Sequence, residues 1–312
     1  MTLATAPGKA ILLGEHAVVY GRPAIAVPVR EVCARAEVLA LSDASAGTVT
    51  VEAPDVGLAG NLKELDPSHP IPRIILDTLH ALGPGLFPAV HLRVTSSIPI
   101  ASGMGSGAAV SVAIARALSE HLGLPLPPDE ISALAFAVER IHHGTPSGID
   151  NTVVAFGQPV YFRLGARPMP FDIAGRMHLV LGDTGVASPT ATAVGMVRDR
   201  WRADQPVYER HFDSLGQCAD QARGLLEAGR IAEIGPLMDA SHQVLKEIGV
   251  STPGLDALVQ AAREAGAWGA KLSGAGRGGT MLALVSEEDI DRVRQALTVA
   301  GAVRTIYTQV GS

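Results

Sequence analysis

An α+β fold in two domains is predicted by three observations on the amino-acid sequence. Strand-like and helical runs are segregated along the chain instead of alternating in regular β–α–β units. A length of 312 residues with 47% hydrophobic and 18% charged content suffices for a substantial core and more than one domain. Periodicity is interrupted in mid-chain across 162–173, where Gly165, Pro168 and Pro170 fall. The first domain is therefore expected over residues 1–167 and the second over 168–312.

The elements follow in order. Ala10–Leu13 is an apolar run that reads as a buried strand, and further strand-like runs occupy Ala24–Val27, Glu31–Leu39, Thr48–Val51 and Val90–Thr95. Helical spacing predicts helices over Pro72–Leu82, Gly107–Leu122 and Asp129–His142. In the second half, strands are predicted over Met177–Leu181, Gly269–Leu272, Thr280–Val285 and Val303–Val310. Helices are predicted there over Thr190–Arg202, Val207–Glu227, Ile231–Ile248, Gly254–Ala265 and Glu288–Ala300. No internal repeat and no low-complexity tract is present.

Composition excludes several classes. A net charge of −6, with Lys and Arg nowhere concentrated among aromatics, argues against a nucleic-acid surface. No uncharged apolar run reaches the roughly 18 residues of a membrane helix, and no leader segment opens the chain. Cys33 and Cys218 are far apart and read as free thiols of a reducing compartment, so a cytoplasmic protein is expected.

Four glycine-bearing blocks carry the chemistry. In PIASGMGSGAAVSVAIARAL, Pro99–Leu118, a glycine-rich turn runs directly into an alanine-rich helix. Gly103, Gly105 and Gly107 would let the backbone take φ > 0 and approach an anion, and the helix N-terminus would attract it. The plainer alternative is a structural turn with Ser106 as helix N-cap. Neither the Walker A loop nor the HRD and DFG triplets of protein kinases occur.

The second block, APGKAILLGEHAVVYG over Ala6–Gly21, carries Lys9 at one end of the apolar run and Glu15 and His16 just beyond Gly14. Lys9 reads either as a solvated strand-end cation or as a point charge on a transferring phosphoryl group or an acid. His16 reads as a core histidine or a site residue. In the third block, VERIHHGTPSGIDN, Glu139 lies beside a stripe of Ile131, Leu134, Ala135, Val138 and Ile141 on the last helical turn. A carboxylate is disfavoured there unless a cation is near, and Mg²⁺ is the natural candidate. His143, four residues on, offers a zinc alternative without a third ligand at metalloprotease spacing. Asp150 follows a Gly144, Pro146, Gly148 excursion and reads as a turn cap or as the acceptor of a substrate hydroxyl proton. The fourth block, KLSGAGRGGT over Lys271–Thr280, is a glycine hairpin or a second loop closing over a ligand.

Taken together, these blocks resemble the three motifs of the GHMP kinase family, along nearly the whole chain. PGKAILLGEHAVVYG resembles the first motif, PIASGMGSGAA the ATP loop and KLSGAGRGGT the third motif. The resemblance implies a ribosomal-S5-like N-terminal domain and a ferredoxin-like C-terminal domain, with ATP and an alcohol meeting in the cleft. HAVVYG and HGTPSGIDN point to mevalonate as that alcohol, phosphorylated at its 5-hydroxyl with ATP and Mg²⁺. Phosphomevalonate or homoserine as acceptor, or a ligand sensor without turnover, are the alternatives, and a homodimer is left open.

By the same resemblance Asp150 is the catalytic aspartate and Lys9 the lysine paired with it. Ser96 and the loop of Ala101, Ser102, Gly103, Met104, Gly105, Ser106 and Gly107 lie on the nucleotide side. Glu139 and Ser106 are the magnesium ligands, and Glu15, His16 and Thr190 contact the mevalonate chain. Two positions depart from the family pattern. Gly107 stands where a second serine is usual, so Ser106 or water fills that coordination place. Arg277 replaces a glycine of the third motif, which would crowd the cleft or add a cation over the phosphates.

Overall fold

Two sheets and a set of packed helices build the fold, in which the glycine blocks sit at strand and helix ends. The computed structural model describes the chain except for residues 84, 87, 100, 144, 145 and 189, and describes residues 142 and 143 by backbone alone. The chain divides into two interleaved units. One comprises Met1–Gly8, Val32–Pro99 and Gly105–Gly157, and the other Lys9–Glu31, Ile100–Met104 and Gln158–Ser312.

The elements through the middle of the chain are β1 (Thr2–Leu13), β2 (Ala24–Ala40), β3 (Val49–Ala53), β4 (Leu58–Asn61), α1 (Pro70–Leu82), β5 (Val90–Ser96), α2 (Ser106–His121), α3 (Pro128–His143) and α4 (Ile149–Phe156). In the first unit β4, β3, β5 and β2 lie side by side in that order. The β3–β5 pairing is parallel, and β3–β4 and β2–β5 are antiparallel. Helix α2 packs on α1, α3, α4 and β5. Its wholly buried Ala108, Ala109, Ala113, Ala115 and Ala117 leave room for those neighbours. Arg116 ties the bundle together, donating to the carbonyls of Thr5 and Ala155 at 2.7 and 2.9 Å.

Two expected strands, Ala24–Val27 and Glu31–Leu39, are one. Proline interrupts a ladder only where its missing N–H is needed. Pro28 falls between the stretch of β2 paired with β6 (Val160–Phe162), residues 24–26, and the stretch paired with β5, residues 34–40. The second unit continues with β7 (Met169–Pro170), antiparallel to β6 within the stretch 162–173. It then forms β8 (Met177–Asp183), α5 (Thr190–Ala203), α6 (Gln205–Glu227), α7 (Gly235–Glu247), α8 (Pro253–Glu264), β9 (Gly269–Ser273), β10 (Thr280–Val285), α9 (Ile290–Val299) and β11 (Arg304–Val310). Strands β11, β8, β10 and β9 form a wholly antiparallel sheet in that order. Its core joins Val180, Leu272, Met281 and Ala283 of the sheet to Phe212, Leu215, Leu245, Leu258 and Leu297 of the helices.

The helix expected over Ile231–Ile248 is broken: Ile231–Ile234 is a 3-10 turn and α7 begins at Gly235. The start of α7 lies directly on the backbone of β9. A Cβ at Gly235 would sit 2.0 Å from the Trp268 carbonyl oxygen. Among the described residues no helix is long and apolar enough to cross a membrane.

Candidate active site

Strand β1 delivers the first glycine block to a sharp corner in the second unit. Gly14 takes φ 95°, and the Pro23 carbonyl oxygen lies 2.5 Å from where a Cβ would stand, so only glycine fits. His16 follows with φ 59° and ψ −46°, a positive-φ conformation outside the left-handed helical region that costs a non-glycine residue on the order of 1–3 kcal/mol. The corner is held from beyond by the 3-10 turn Ala17–Tyr20. The Tyr20 ring stacks on Phe212 at 4.0 Å, and Arg22 pairs with Glu209 and Asp213 of α6.

Inside the corner Glu15 is wholly enclosed. Its Oε1 accepts from Lys271 Nζ, which also donates to the Leu272 carbonyl at 2.7 Å. Burial pushes the Glu15 carboxyl up and the Lys271 ammonium down, while their mutual attraction opposes both shifts. Among the described residues Glu15 Oε2 has no hydrogen-bond partner. His16 Nε2 lies 2.9 Å from the Ala275 carbonyl oxygen in the fourth block. Burial lowers the His16 pKa to about 4, the Ala275 carbonyl acting against it. Lys9 is buried as well, not solvated at a strand end, and its backbone N–H donates to the Met104 carbonyl at 3.0 Å.

The same unit gathers the other loop residues. Ser188 N–H donates to the Ala101 carbonyl at 2.9 Å, Thr280 Oγ1 to Ser102 O at 3.2 Å, and Ser188 Oγ to Gly276 O at 2.5 Å. Ala101 and Gly103 take φ 56° and 80°. Thr190 opens α5 two residues beyond Ser188 and is exposed. Lys9, Glu15, His16, residues 101–104 and the segment leading to Thr190 are thus brought to the loop between β9 and β10. Arg277 in that loop holds φ 60° and lays its guanidinium against Met196 of α5, Nη1 to Sδ 3.4 Å.

In the first unit, Gly105 with φ 74° is the N-cap of α2, and no side chain caps that helix. Ser106 is therefore the first helical residue and not the cap. Gly107 is corrected too. It is an ordinary helical residue without positive φ, and a Cβ there meets nothing within 4 Å. The first intrahelical bond runs from Ala109 N–H to Gly105 O, so the N–H groups of Ser106, Gly107 and Ala108 lack an intrahelical acceptor and face an anion-binding end. Ser96 closes β5: its N–H is held by Asp55 and its hydroxyl accepts from Ile98 N–H at 3.2 Å.

Glu139 is half-buried on the penultimate turn of α3. Asp150 is the second residue of α4, whose cap is Gly148 with φ 89°, so it stands within a helix and not at the turn. The side chain of His143 and residue Gly144 lie outside the described residues. Among the described residues no three His, Cys, Asp or Glu gather as a metal cage. Mg²⁺ takes one or two carboxylates plus phosphate oxygens, and a donor set of the Glu139 carboxylate and the Ser106 hydroxyl is of the hard oxygen kind that it prefers.

Two buried neutral histidines give the fold a pH dependence. His242 Nδ1 accepts from Leu272 N–H at 3.3 Å, and burial, with Arg263 adding to it, lowers its pKa to about 4. Unfolding returns both rings to their ordinary pKa near 6.5. Each therefore contributes stability that is complete above pH 6.5 and lost as pH falls toward 4, on the order of 3 kcal/mol for the enclosed His16. Urea midpoints are expected to fall steadily between pH 7 and pH 5. A flat profile there would mean that the rings titrate in the folded chain as they do in the unfolded one.

The GHMP kinases N terminal domain model matches residues 71–158, which include Ser96, the loop to Gly107, Glu139 and Asp150. The GHMP kinases C terminal model matches residues 222–302, which include the β9–β10 loop. The chain belongs to the GHMP kinase family.

Full-length relatives extend the likeness beyond the two segments that the family models match. This GHMP kinase is 36% identical to the mevalonate kinase of Pyrococcus horikoshii over 97% of its own length and 94% of the relative's. It is 37% identical to that of Thermococcus gammatolerans over 97% and 95%. The solved L. major mevalonate kinase in complex with R-mevalonate is 30% identical, with a TM-score of 0.83 over 100% of this chain and 96% of the other. Sequence reasoning missed Lys271 as the partner of Glu15. Its one signal was a lysine inside the apolar run of β9.

Proposed function

We propose that this GHMP kinase transfers the γ-phosphoryl group of ATP to the 5-hydroxyl of mevalonate, giving 5-phosphomevalonate and ADP. The observation that carries the reading is the match along the whole chain to enzymes named for that acceptor, one of them solved with R-mevalonate.

Phosphoryl transfer asks the protein for positioning and charge stabilisation. The N–H groups at the start of α2, with the positive end of the helix, receive the phosphates. Asp150 takes the proton of the 5-hydroxyl as its oxygen attacks phosphorus, and Lys9 supplies positive charge to the transferring group. Ser96 flanks the nucleotide. Glu139 and Ser106 would hold Mg²⁺, which neutralises charge on the phosphate oxygens when bound. Thr190 and His16 meet the acceptor chain, and Glu15, enclosed on Lys271, keeps the corner bearing His16 in place. The free thiols Cys33 and Cys218 support a cytoplasmic setting.

A coupled ADP-release assay across mevalonate, phosphomevalonate, homoserine and galactose, with and without Mg²⁺, tests this reading. Mevalonate is expected to give the highest kcat/KM, with turnover dependent on Mg²⁺. A higher value for phosphomevalonate or homoserine would reassign the acceptor within the family. No turnover of any alcohol would make the chain a sensor.

A further inference from the structure

Helix α4 is short for what it carries. Eight residues are too few to hold a helix in water by themselves, and its start at Gly148 has no side-chain cap. Its buried apolar residues, Ile149, Val153 and Val154, draw it onto the bundle, but apolar contact has no direction and tolerates small slips and turns. A directional contact is needed to fix where Asp150 stands.

A polar cluster between α3 and α4 supplies it. Ser132, Asn151 and Thr152 are all buried. Asn151 Nδ2 donates to the Ser132 carbonyl at 3.0 Å and to Ser132 Oγ at 2.8 Å. The Thr152 hydroxyl donates to the carbonyl of Gly148, the cap of α4, at 2.6 Å. Its oxygen is left to accept, so the Ser132 hydroxyl is the donor in the longer, 3.4 Å contact between the two. Every proton of the cluster is thereby assigned. The amide cannot be reversed either, because its oxygen would then face the Ser132 carbonyl, which can only accept.

The cluster lies where it sets the geometry of the candidate site. Successive residues of a helix are turned by about 100°, so with Asn151 and Thr152 held against α3, Asp150 is carried off that face of α4. Ser132 and Glu139 are two turns apart on nearly the same face of α3. A slip of α4 along α3 would therefore move Asp150 relative to Glu139 by the same amount. Packing alone does not call for an amide here. Asn151 Oδ1 is buried and has no hydrogen-bond partner among the described residues, a cost that an apolar side chain would avoid.

We propose that Asn151 is a positioning residue for phosphoryl transfer, which through Ser132 sets the place of the Asp150 carboxylate along α3. The inference rests on the reading of Asp150 as the group that takes the hydroxyl proton.

The test compares two substitutions in two backgrounds, with ATP and mevalonate, on variants whose near-UV circular dichroism matches the wild-type chain. Asn151→Leu keeps the branching of the side chain and removes both donated bonds. It is expected to lower kcat about 10- to 100-fold, since a misplacement of about 1 Å can cost about 10²-fold. KM for ATP and for mevalonate should stay within about threefold of wild type. Ser132→Ala removes Oγ but leaves the carbonyl, and should lose about 3- to 10-fold in kcat. In the Asp150→Asn background there is no carboxylate left to place, so each substitution should change the residual kcat by less than about twofold.

Wild-type kcat in folded Asn151→Leu would overturn the proposal. A rise in either KM as large as the fall in kcat would make Asn151 a support of the whole site and overturn it, as would an equal loss of kcat with and without Asp150. If Asn151→Leu does not fold, Ser132→Ala decides by the same comparison of backgrounds. Retention of kcat by Asp150→Asn alone would overturn the reading of Asp150 and the proposal with it, whereas no turnover in the wild-type chain would overturn mevalonate as the substrate.

Discussion

Asp150→Asn is expected to lose at least about 100-fold in kcat while unfolding at close to the wild-type urea concentration. The amide is nearly isosteric with the carboxyl but cannot take the proton of the attacking hydroxyl, and general acid–base groups contribute about 10²- to 10⁴-fold. The structural cost is small because of where the residue stands. Asp150 is half-buried in the first turn of α4, where a negative charge gains about 0.3–1 kcal/mol from the helix N-terminus, and Gly148 rather than Asp150 occupies the cap. Steady-state kinetics with saturating ATP and mevalonate, beside a urea melt, separates the two effects. A variant that keeps more than half of the wild-type kcat would reduce Asp150 to a helix-start residue.

The largest expected effect on stability is at Lys271. Its ammonium and the Glu15 carboxyl are both wholly enclosed, and Glu15 Oε2 is already without a partner among the described residues. Removing one member of a buried pair leaves the other's polar group stranded, at a cost of about 3–5 kcal/mol. Lys271→Met should therefore lower the unfolding free energy by that amount. Replacing both members by apolar residues of similar size, as in Glu15→Leu with Lys271→Met, is often far less costly. The double variant is expected to be more stable than the Lys271→Met single variant. If the single variant loses less than about 1 kcal/mol, water reaches the pair and the corner is not sealed.

Much of this was legible in the sequence, for identifiable reasons. Gly103 and Gly105 announced the positive φ that they adopt, and the stripe of Ile131, Ala135 and Val138 announced α3, although Ile141, read as part of the same buried stripe, is exposed; both signals depend on neighbours within a turn or two. Helix α4 was not legible. It has eight residues between two glycines, and Thr152, Val153 and Val154 favour a strand by their own β-branching. Strand β2 was broken in the reading at Pro28, because which of its residues donate to a neighbour is decided by partner strands far away in sequence. Gly107 and Ser106 were misread because the cap position moved back by one residue to Gly105. Lys9, Glu15, His16, Glu139 and Asp150 were candidates by residue type and by their place in the glycine blocks. The pairing of Glu15 with Lys271, and the carbonyl that fixes the His16 ring, join positions more than 250 residues apart and leave no local trace.

The interleaving of the two units bears on how the chain can be made. Residues 9–31, with Lys9, Glu15 and His16, belong to the unit completed only by residues 158–312. Lys271 emerges 256 residues after Glu15, which at about 5–20 residues per second is roughly 13–50 seconds of synthesis. Throughout that interval the carboxyl destined for the sealed corner must stay hydrated, and the positive-φ turn at His16 has nothing to hold it. A ribosome stalled in the middle of the message therefore carries a nascent chain whose N-terminal segment cannot reach its final state, and expressing the two halves of the gene separately would divide one folding unit between two polypeptides.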